Sequence, residues 1–369
     1  MIWPSSRILA IANESGANGA LLYLNSLVDR WLAASPAVGR AIKAQAEDLA
    51  RLVLRDWSPT GWDEPQRAKQ SVVGRMCETL LRLREPALVE LMAGRLAAAA
   101  THPAADNAAI VDAIDLLADD VAASWLAKIA AAHGSHALGA SAGLLRLAVQ
   151  GRFAKNSRLL LPAAEALVAT LPGDPDKLPK DRWGQPRQVA LDAEGVVALV
   201  PVIDHVDADV ARRAAAHMLA WLQHFGIDAA VIPALKKLVE TGHRTGRAFE
   251  ALHGAAVDHL GKRIAEPLEP PTDWRRPGEI RCDCAHCKQL SRFLLDPNEP
   301  VWTLHAAQQI RTHVEDSIRR ASADVDCQTV RRGSPHSLVC TKNQAGHRRH
   351  VARRKRDLAD LAILQGAAT

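Results

Sequence analysis

Cys282-Asp283-Cys284-Ala285-His286-Cys287 divides this chain of 369 residues into two parts of different character. Three of the six cysteines fall in these six residues, and two more, Cys327 and Cys340, stand at the ends of a predicted hairpin. The expected compartment is the cytoplasm, where thiols stay reduced, so clustered cysteines there point to a metal rather than to disulfides. A structural zinc ion takes four thiolate or imidazole ligands in a tetrahedron. Cys282, Cys284 and Cys287 supply three, and Cys327 is the first choice for the fourth. His286, His313, His336 and Cys340 compete for that place. Cys340, in Leu338-Val339-Cys340, reads as a buried strand thiol, and Cys77 as an ordinary core cysteine. The plainer alternative is a set of unliganded, partly buried thiols.

Upstream of the cluster the chain reads as helix. Hydrophobic residues make up 48% of the sequence and aromatics only 4%, with alanine and leucine dominant, a mixture that favours helix over sheet. Ile110, Ile114, Leu117, Val121 and Trp125 predict one helical face, with Asp106 as its N-cap. Val210, Ala214, Met218, Trp221 and Leu222 predict another, preceded by Asp207 and Asp209. Leu159–Leu171 and Ile232–Val239 behave alike. Short breaks at Ser35-Pro36, Ser58-Pro59-Thr60-Gly61, His102-Pro103, Gly134-Ser135 and Phe225-Gly226 separate them, and Pro172–Arg187 reads as a longer surface loop. Helix pairs at an irregular spacing of roughly 40 residues predict a HEAT-like array over residues 1–265, with a non-repeating bundle as the alternative.

Glu266-Pro267-Leu268-Glu269-Pro270-Pro271 cannot continue a helix, so 266–280 reads as a proline-rich linker. Residues 281–369 then form a small, basic α+β module. Val301–Ala321 reads as helix, Asp326–Arg332 and His336–Lys342 as strands joined at Gly333-Ser334-Pro335, and Gln344–Leu364 as a basic helix. Residues 271–369 carry 17 Lys and Arg against 11 Asp and Glu, a net +6, whereas the first 270 residues carry a net −1. That split raises an acidic partner, nucleic acid first. Arg331, Arg332, Lys342, Arg349, Arg353 and Arg356 are the candidate contacts, the last three sharing one helical face, with Val351, Leu358 and Leu361 on the apolar side. A solvated terminal helix is the alternative.

No complete catalytic pattern is present. Glycine-rich phosphate loops and a Gly-x-Ser-x-Gly elbow are absent, and so is an apolar run long enough for a bilayer. His205-Val206-Asp207 matches the opening of an iron facial triad, but Asp207 precedes a helix and is expected to cap it. Met1-Ile2-Trp3-Pro4 leads almost directly into helical pattern, as in a piece of a longer protein.

The C-terminal quarter resembles a known family. Cys284-x2-Cys287-x2-Leu290-x2-Phe293-Leu294-x-Asp296-Pro297, Arg311-x-His313, Cys327-x-Thr329 and Gly333-Ser334-Pro335-x2-Leu338-Val339-x2-Lys342 resemble the C-terminal region of bacterial and fungal prolyl-4-hydroxylase-like 2-oxoglutarate/Fe(II) oxygenase proteins. In that family a catalytic barrel precedes a helical region and a cysteine-containing tail. Nothing here matches the barrel, so the resemblance implies an accessory part or a relative of that part, working with an oxygenase domain in cis or in trans. The expectation is therefore a non-catalytic scaffold that binds a macromolecule, protein or nucleic acid, and no membrane. The alternatives are a metal-dependent enzyme with its site around His313, Glu315 and Lys342, or a protein–protein adaptor using the helical array.

Overall fold

The structure, a computed structural model, describes residues 5–56, 72–99, 104–173, 192–276 and 278–366, with side chains from residue 19 onward. The expected breaks at Ser58–Gly61 and His102-Pro103, and most of the loop Pro172–Arg187, lie outside these residues. The chain is mainly helical with a small three-stranded antiparallel sheet near the C-terminus. It divides into two compact units, Met1–Val257 and Asp258–Thr369. No described helix is long and apolar enough to cross a membrane.

The first unit holds α1 (Ser5–Leu32), α2 (Pro36–Asp56), α3 (Val72–Leu83), α4 (Pro86–Ala97), α5 (Asn107–Ile114), α6 (Asp119–His133), α7 (Leu138–Gln150), α8 (Leu161–Ala169), α9 (Ala193–Val206), α10 (Ala208–Ala220), α11 (Ile232–Glu240) and most of α12 (Arg247–Ala265). From α1 to α9, each helix packs on the helix two places later. One series runs α1, α3, α5, α7, α9, α11 and the other α2, α4, α6, α8, α10. Leu80, Met92, Ile110, Leu126, Leu145 and Leu199 are buried to within about 1% and supply its core. No helix here could bury its apolar face without its neighbours, so the unit should fold cooperatively.

The predicted stripe from Ile110 to Trp125 spans two helices rather than one. The helix stops at Ile114 and restarts at Asp119. Arg152 makes the break tolerable: its guanidinium donates to the Ile114 and Leu117 carbonyls at 3.3 and 2.6 Å and to the Asp119 carboxylate at 2.6 Å. The Ile114 carbonyl also accepts the Leu117 amide at 2.9 Å, so the guanidinium adds to a turn that already closes on itself. Asp106 occupies the N-cap position of α5 but its side chain does not accept the cap hydrogen bond. Asp207 does cap α10, accepting from the Asp209 and Val210 amides at 2.9 and 3.1 Å. Those amides hold its carboxyl below the usual range, that of Val210 contributing most. α10 ends at Ala220, so Leu222 leaves the buried stripe and is exposed.

The second unit contains the end of α12, then α13 (Ala285–Leu295), β1 (Val301–His305), α14 (Gln308–Arg320), β2 (Val325–Val330), β3 (Ser337–Lys342) and α15 (Ala345–Leu364). The sheet order is β1-β3-β2, both outer strands antiparallel to β3. β1 falls where helix was expected. Val301-Trp302-Thr303-Leu304-His305 is rich in β-branched and aromatic residues and pairs residue by residue with Thr341–Ser337. Leu290, Phe293 and Leu294 of α13 and Val314 and Ile318 of α14 share one core with Leu304, Leu338 and Cys340 of the sheet.

The later half of the expected linker is docked on this core. The Trp274 and Arg276 amides donate to the Pro297 and Leu294 carbonyls at 3.0 and 2.8 Å, and Arg276 is 4% exposed. Its guanidinium donates to the Asn343, Asp273 and Arg275 carbonyls. α15 is held by a buried ion pair, Asp357 with Arg263 at the end of α12, where the Nε–Oδ2 distance is 2.8 Å. The apolar residues expected to seat it are not buried: Val351 and Leu358 are exposed.

Candidate metal centre

The centre begins at the N-terminus of α13. Cys284 takes the N-cap position with extended backbone, and its sulfur accepts the Cys287 amide at 3.4 Å. A serine or aspartate would do the same; here the cap atom is also a soft ligand. One turn on, Cys287 points inward and is fully buried, while Cys282 lies half-buried two residues upstream of the cap. α13 and α14 pack together through Leu290, Phe293, Val314 and Ile318. That packing brings His313 over the thiols, its Nε2 lying 3.7 Å from Cys284 Sγ and 3.3 Å from Cys287 Sγ. Ser317, one turn further along α14, approaches Cys287 Sγ at 3.5 Å and donates to the His313 carbonyl at 2.8 Å.

Cys282, Cys284, Cys287 and His313 thus present four donor atoms all within 4.8 Å of one another. The edges of a tetrahedron built on zinc bond lengths are about 3.8 Å between sulfurs and about 3.6 Å between sulfur and nitrogen. The observed sulfur–nitrogen distances bracket that value, so the donor set can hold a metal ion. The thiols are unequal. The Cys287 amide at the helix N-terminus, the largest influence, pulls Cys284 down to about 6, whereas burial pushes Cys287 up to about 11.

Cys327 is not part of this group. It lies on the edge strand β2 directly opposite Cys340, with the sulfurs 3.8 Å apart. His313 takes the place expected for it. Of the other competitors, His336 Nδ1 pairs with the Gly333 carbonyl at 2.9 Å, Cys340 is buried in the sheet core, and His286, whose Nδ1 is buried without a hydrogen-bond partner, lies outside the four-donor group.

The basic residues separate into unequal groups. Lys342 is 3% exposed; its ammonium donates to the Asp296 carbonyl at 2.7 Å and lies 4.4 Å from the centre of the Phe293 ring. Burial lowers its pKa, and it serves the interior rather than an external phosphate. It meets α13 at the C-terminal end and His313 meets it at the N-terminal end, about 16 Å apart at the helical rise. The expected alternative site around His313 and Lys342 therefore does not converge. Arg349, Arg353 and Arg356 line one open cavity of about 330 Å³ together with His350. Arg349 pairs with Asp324 at 2.9 Å, just ahead of β2, and Asp324 also accepts the Gly346 amide at 2.7 Å. Arg331 and Arg332 are exposed beyond the far end of β2, about 20 Å away at the strand rise.

Sequence reading gave no role to Arg276, Arg263 or Asp357, which anchor the second unit from inside. The long-range pairing of Arg263 with Asp357 has no local signal. Arg276 sits beside Trp274 in a segment whose prolines suggest only irregular chain.

No protein-family model, no curated protein and no solved structure matches this chain.

Proposed function

We propose that the second unit is a zinc-stabilised recognition module on a HEAT-like helical scaffold, and that the chain is a non-catalytic binding protein. The observation that carries this is the donor set: three sulfurs and one imidazole nitrogen, with no carboxylate among them. Such a set suits zinc and leaves no position for substrate, whereas oxygenase iron takes two histidines and a carboxylate with open positions. The alternating packing of successive helices in the first unit supports the repeat reading. The oxygenase-family resemblance of the C-terminal quarter supports a place beside such a catalytic domain.

The partner surface we propose is the Arg349, Arg353 and Arg356 face of α15, with nucleic-acid phosphates as its target. Three phosphate contacts on a duplex give a salt slope near −2.7, so raising salt from 50 to 200 mM should weaken binding about 40-fold. Fluorescence anisotropy of a labelled oligonucleotide with the full chain tests this. Reversal of the three arginines to glutamate should abolish most binding, and Arg331 and Arg332 should contribute only the remainder. Undetectable binding at low salt, or binding unchanged by the triple reversal, would sink the nucleic-acid reading and leave a protein partner on the helical array.

A further inference from the structure

The pair displaced from the metal centre has chemistry of its own. We propose that Cys327 and Cys340 are a redox-active thiol pair that reduces a small hydroperoxide and closes reversibly to an intramolecular disulfide. Four observations carry this.

The pair is directly opposed in register across β2 and β3. The Asn343 amide bonds the Asp324 carbonyl, which makes 324/343 and every second pair after it hydrogen-bonded. Cys327/Cys340 therefore falls at a non-hydrogen-bonded position, where Cα atoms stand about 4.5 Å apart and side chains approach most closely. That separation is inside the range a disulfide spans, and the sulfurs are already 3.8 Å apart. Closure needs rotamer adjustment and no strand movement.

The two thiols are also differentiated. Cys327 is exposed on the edge strand; Cys340 is wholly buried in the sheet core. The sulfur–sulfur hydrogen bond, the largest influence, lowers the Cys327 pKa; burial and the charges of Glu315 and Asp326 oppose it, and Arg319 adds a smaller lowering. The same bond and burial drive Cys340 far upward.

Reagent can reach the outer sulfur. Cys327 lines an open cavity of about 560 Å³ shared with Glu315, Arg319, Ser322 and Arg349. Arg319 and Arg349 in that wall are ion-paired with Asp316 and Asp324, at 3.1 and 2.9 Å.

Finally, the remaining thiols are otherwise committed. Cys282, Cys284 and Cys287 belong to the metal group, and Cys77 is buried with its sulfur 3.2 Å from Met92 Sδ.

The chemistry balances. The Cys327 thiolate attacks the peroxide oxygen, the O–O bond breaks, and the alkoxide leaves as alcohol after taking a proton from solvent. Cys327 is then a sulfenic acid. The Cys340 sulfur attacks it, the S–O bond breaks, and water departs with the Cys340 proton. Two thiols lose two electrons and the hydroperoxide gains them.

The test uses the full chain and limiting hydrogen peroxide, followed by alkylation and non-reducing peptide mapping. The expected product joins the Cys327 and Cys340 peptides, is about 2 Da lighter than the two thiol peptides together, and disappears with dithiothreitol. Cys340→Ser should stop at a sulfenic acid on Cys327, trapped by a cyclic dione. Cys327→Ser should leave Cys340 a thiol. Cys77 is an internal standard, expected to react at least about tenfold more slowly. Mapping reads the bond directly, whatever the state of the metal cluster. The proposal is overturned if both cysteines stay alkylatable while added glutathione is oxidised. It is equally overturned if Cys327 over-oxidises without linking to Cys340, or links to any other cysteine.

Discussion

Replacing His313 by alanine is the perturbation that most directly tests the centre, because sequence and geometry nominate different fourth ligands. A structural zinc site is worth about 10–16 kcal/mol in binding free energy. Shared over four ligands, that is about 3 kcal/mol each, or about a hundredfold in affinity. The distances justify an equal share for His313: its Nε2 stands at bonding-tetrahedron separation from Cys284 Sγ and Cys287 Sγ, 3.7 and 3.3 Å. Competition against a chromophoric chelator should therefore show zinc bound about a hundredfold more weakly in His313→Ala. At fixed free zinc well above the dissociation constants, the same loss should cost about 2.7 kcal/mol of metal-linked stability. Cys327→Ser should bind zinc like the parent. The pH dependence follows from the thiols. Binding displaces the Cys287 proton at every pH below about 11, so that cysteine alone makes affinity rise about tenfold per pH unit. Cys284, held at about 6, adds a second proton only below that pH, where the slope should steepen. Wild-type affinity in His313→Ala together with a large loss in Cys327→Ser would refute the reasoning. So would stoichiometric zinc with no pH dependence between 6 and 9.

Three further outcomes are expected. Lys342→Ala should destabilise the second unit by about 2 kcal/mol in chemical denaturation, through the lost hydrogen bond to the Asp296 carbonyl, and should leave the salt slope of any nucleic-acid binding unchanged. Asp357→Ala strands a partly buried Arg263 and should cost about 3 kcal/mol, whereas replacing both partners by apolar residues of similar volume should recover most of that loss. Asp207→Ala removes the acceptor for two amides at the start of α10. Its carboxyl is held below the ordinary value, so the contribution is present above pH 4 and disappears as pH falls through the lowered pKa; a parent–variant difference that grew on acidification would contradict this.

The helical class, the strand pair around Gly333 and the basic last helix were legible because each rests on local periodicity or turn chemistry. Gly333 has a φ of +79°, a conformation that a glycine between two β-rich runs announces in advance. β1 was missed because a five-residue strand next to a thirteen-residue helix is outweighed by the longer pattern. The α5/α6 break was missed for a different reason. Ile110 and Ile114 before it and Leu117 within it are buried, so the apolar stripe continues through a turn to whose carbonyls Arg152, far along the chain, donates.

The fourth ligand shows most clearly where local reading ends. His313 lies 26 residues beyond Cys287, and only the packing of α13 on α14 sets that approach. Ile310, Val314 and Ile318 mark the core-facing stripe of α14, and His313 and Ser317 flank it on the side of the thiols. A stripe read from sequence fixes which residues face the core but not which neighbouring element lies along its border. Cys327 was different, because evidence against it was already in the hairpin. A turn at Gly333-Ser334 makes 327 and 340 cross-strand partners, and opposed residues share a face of the sheet. Strand register therefore places the Cys327 sulfur beside Cys340. The same register that sets Cys327 opposite Cys340 leaves it outside the four-donor group.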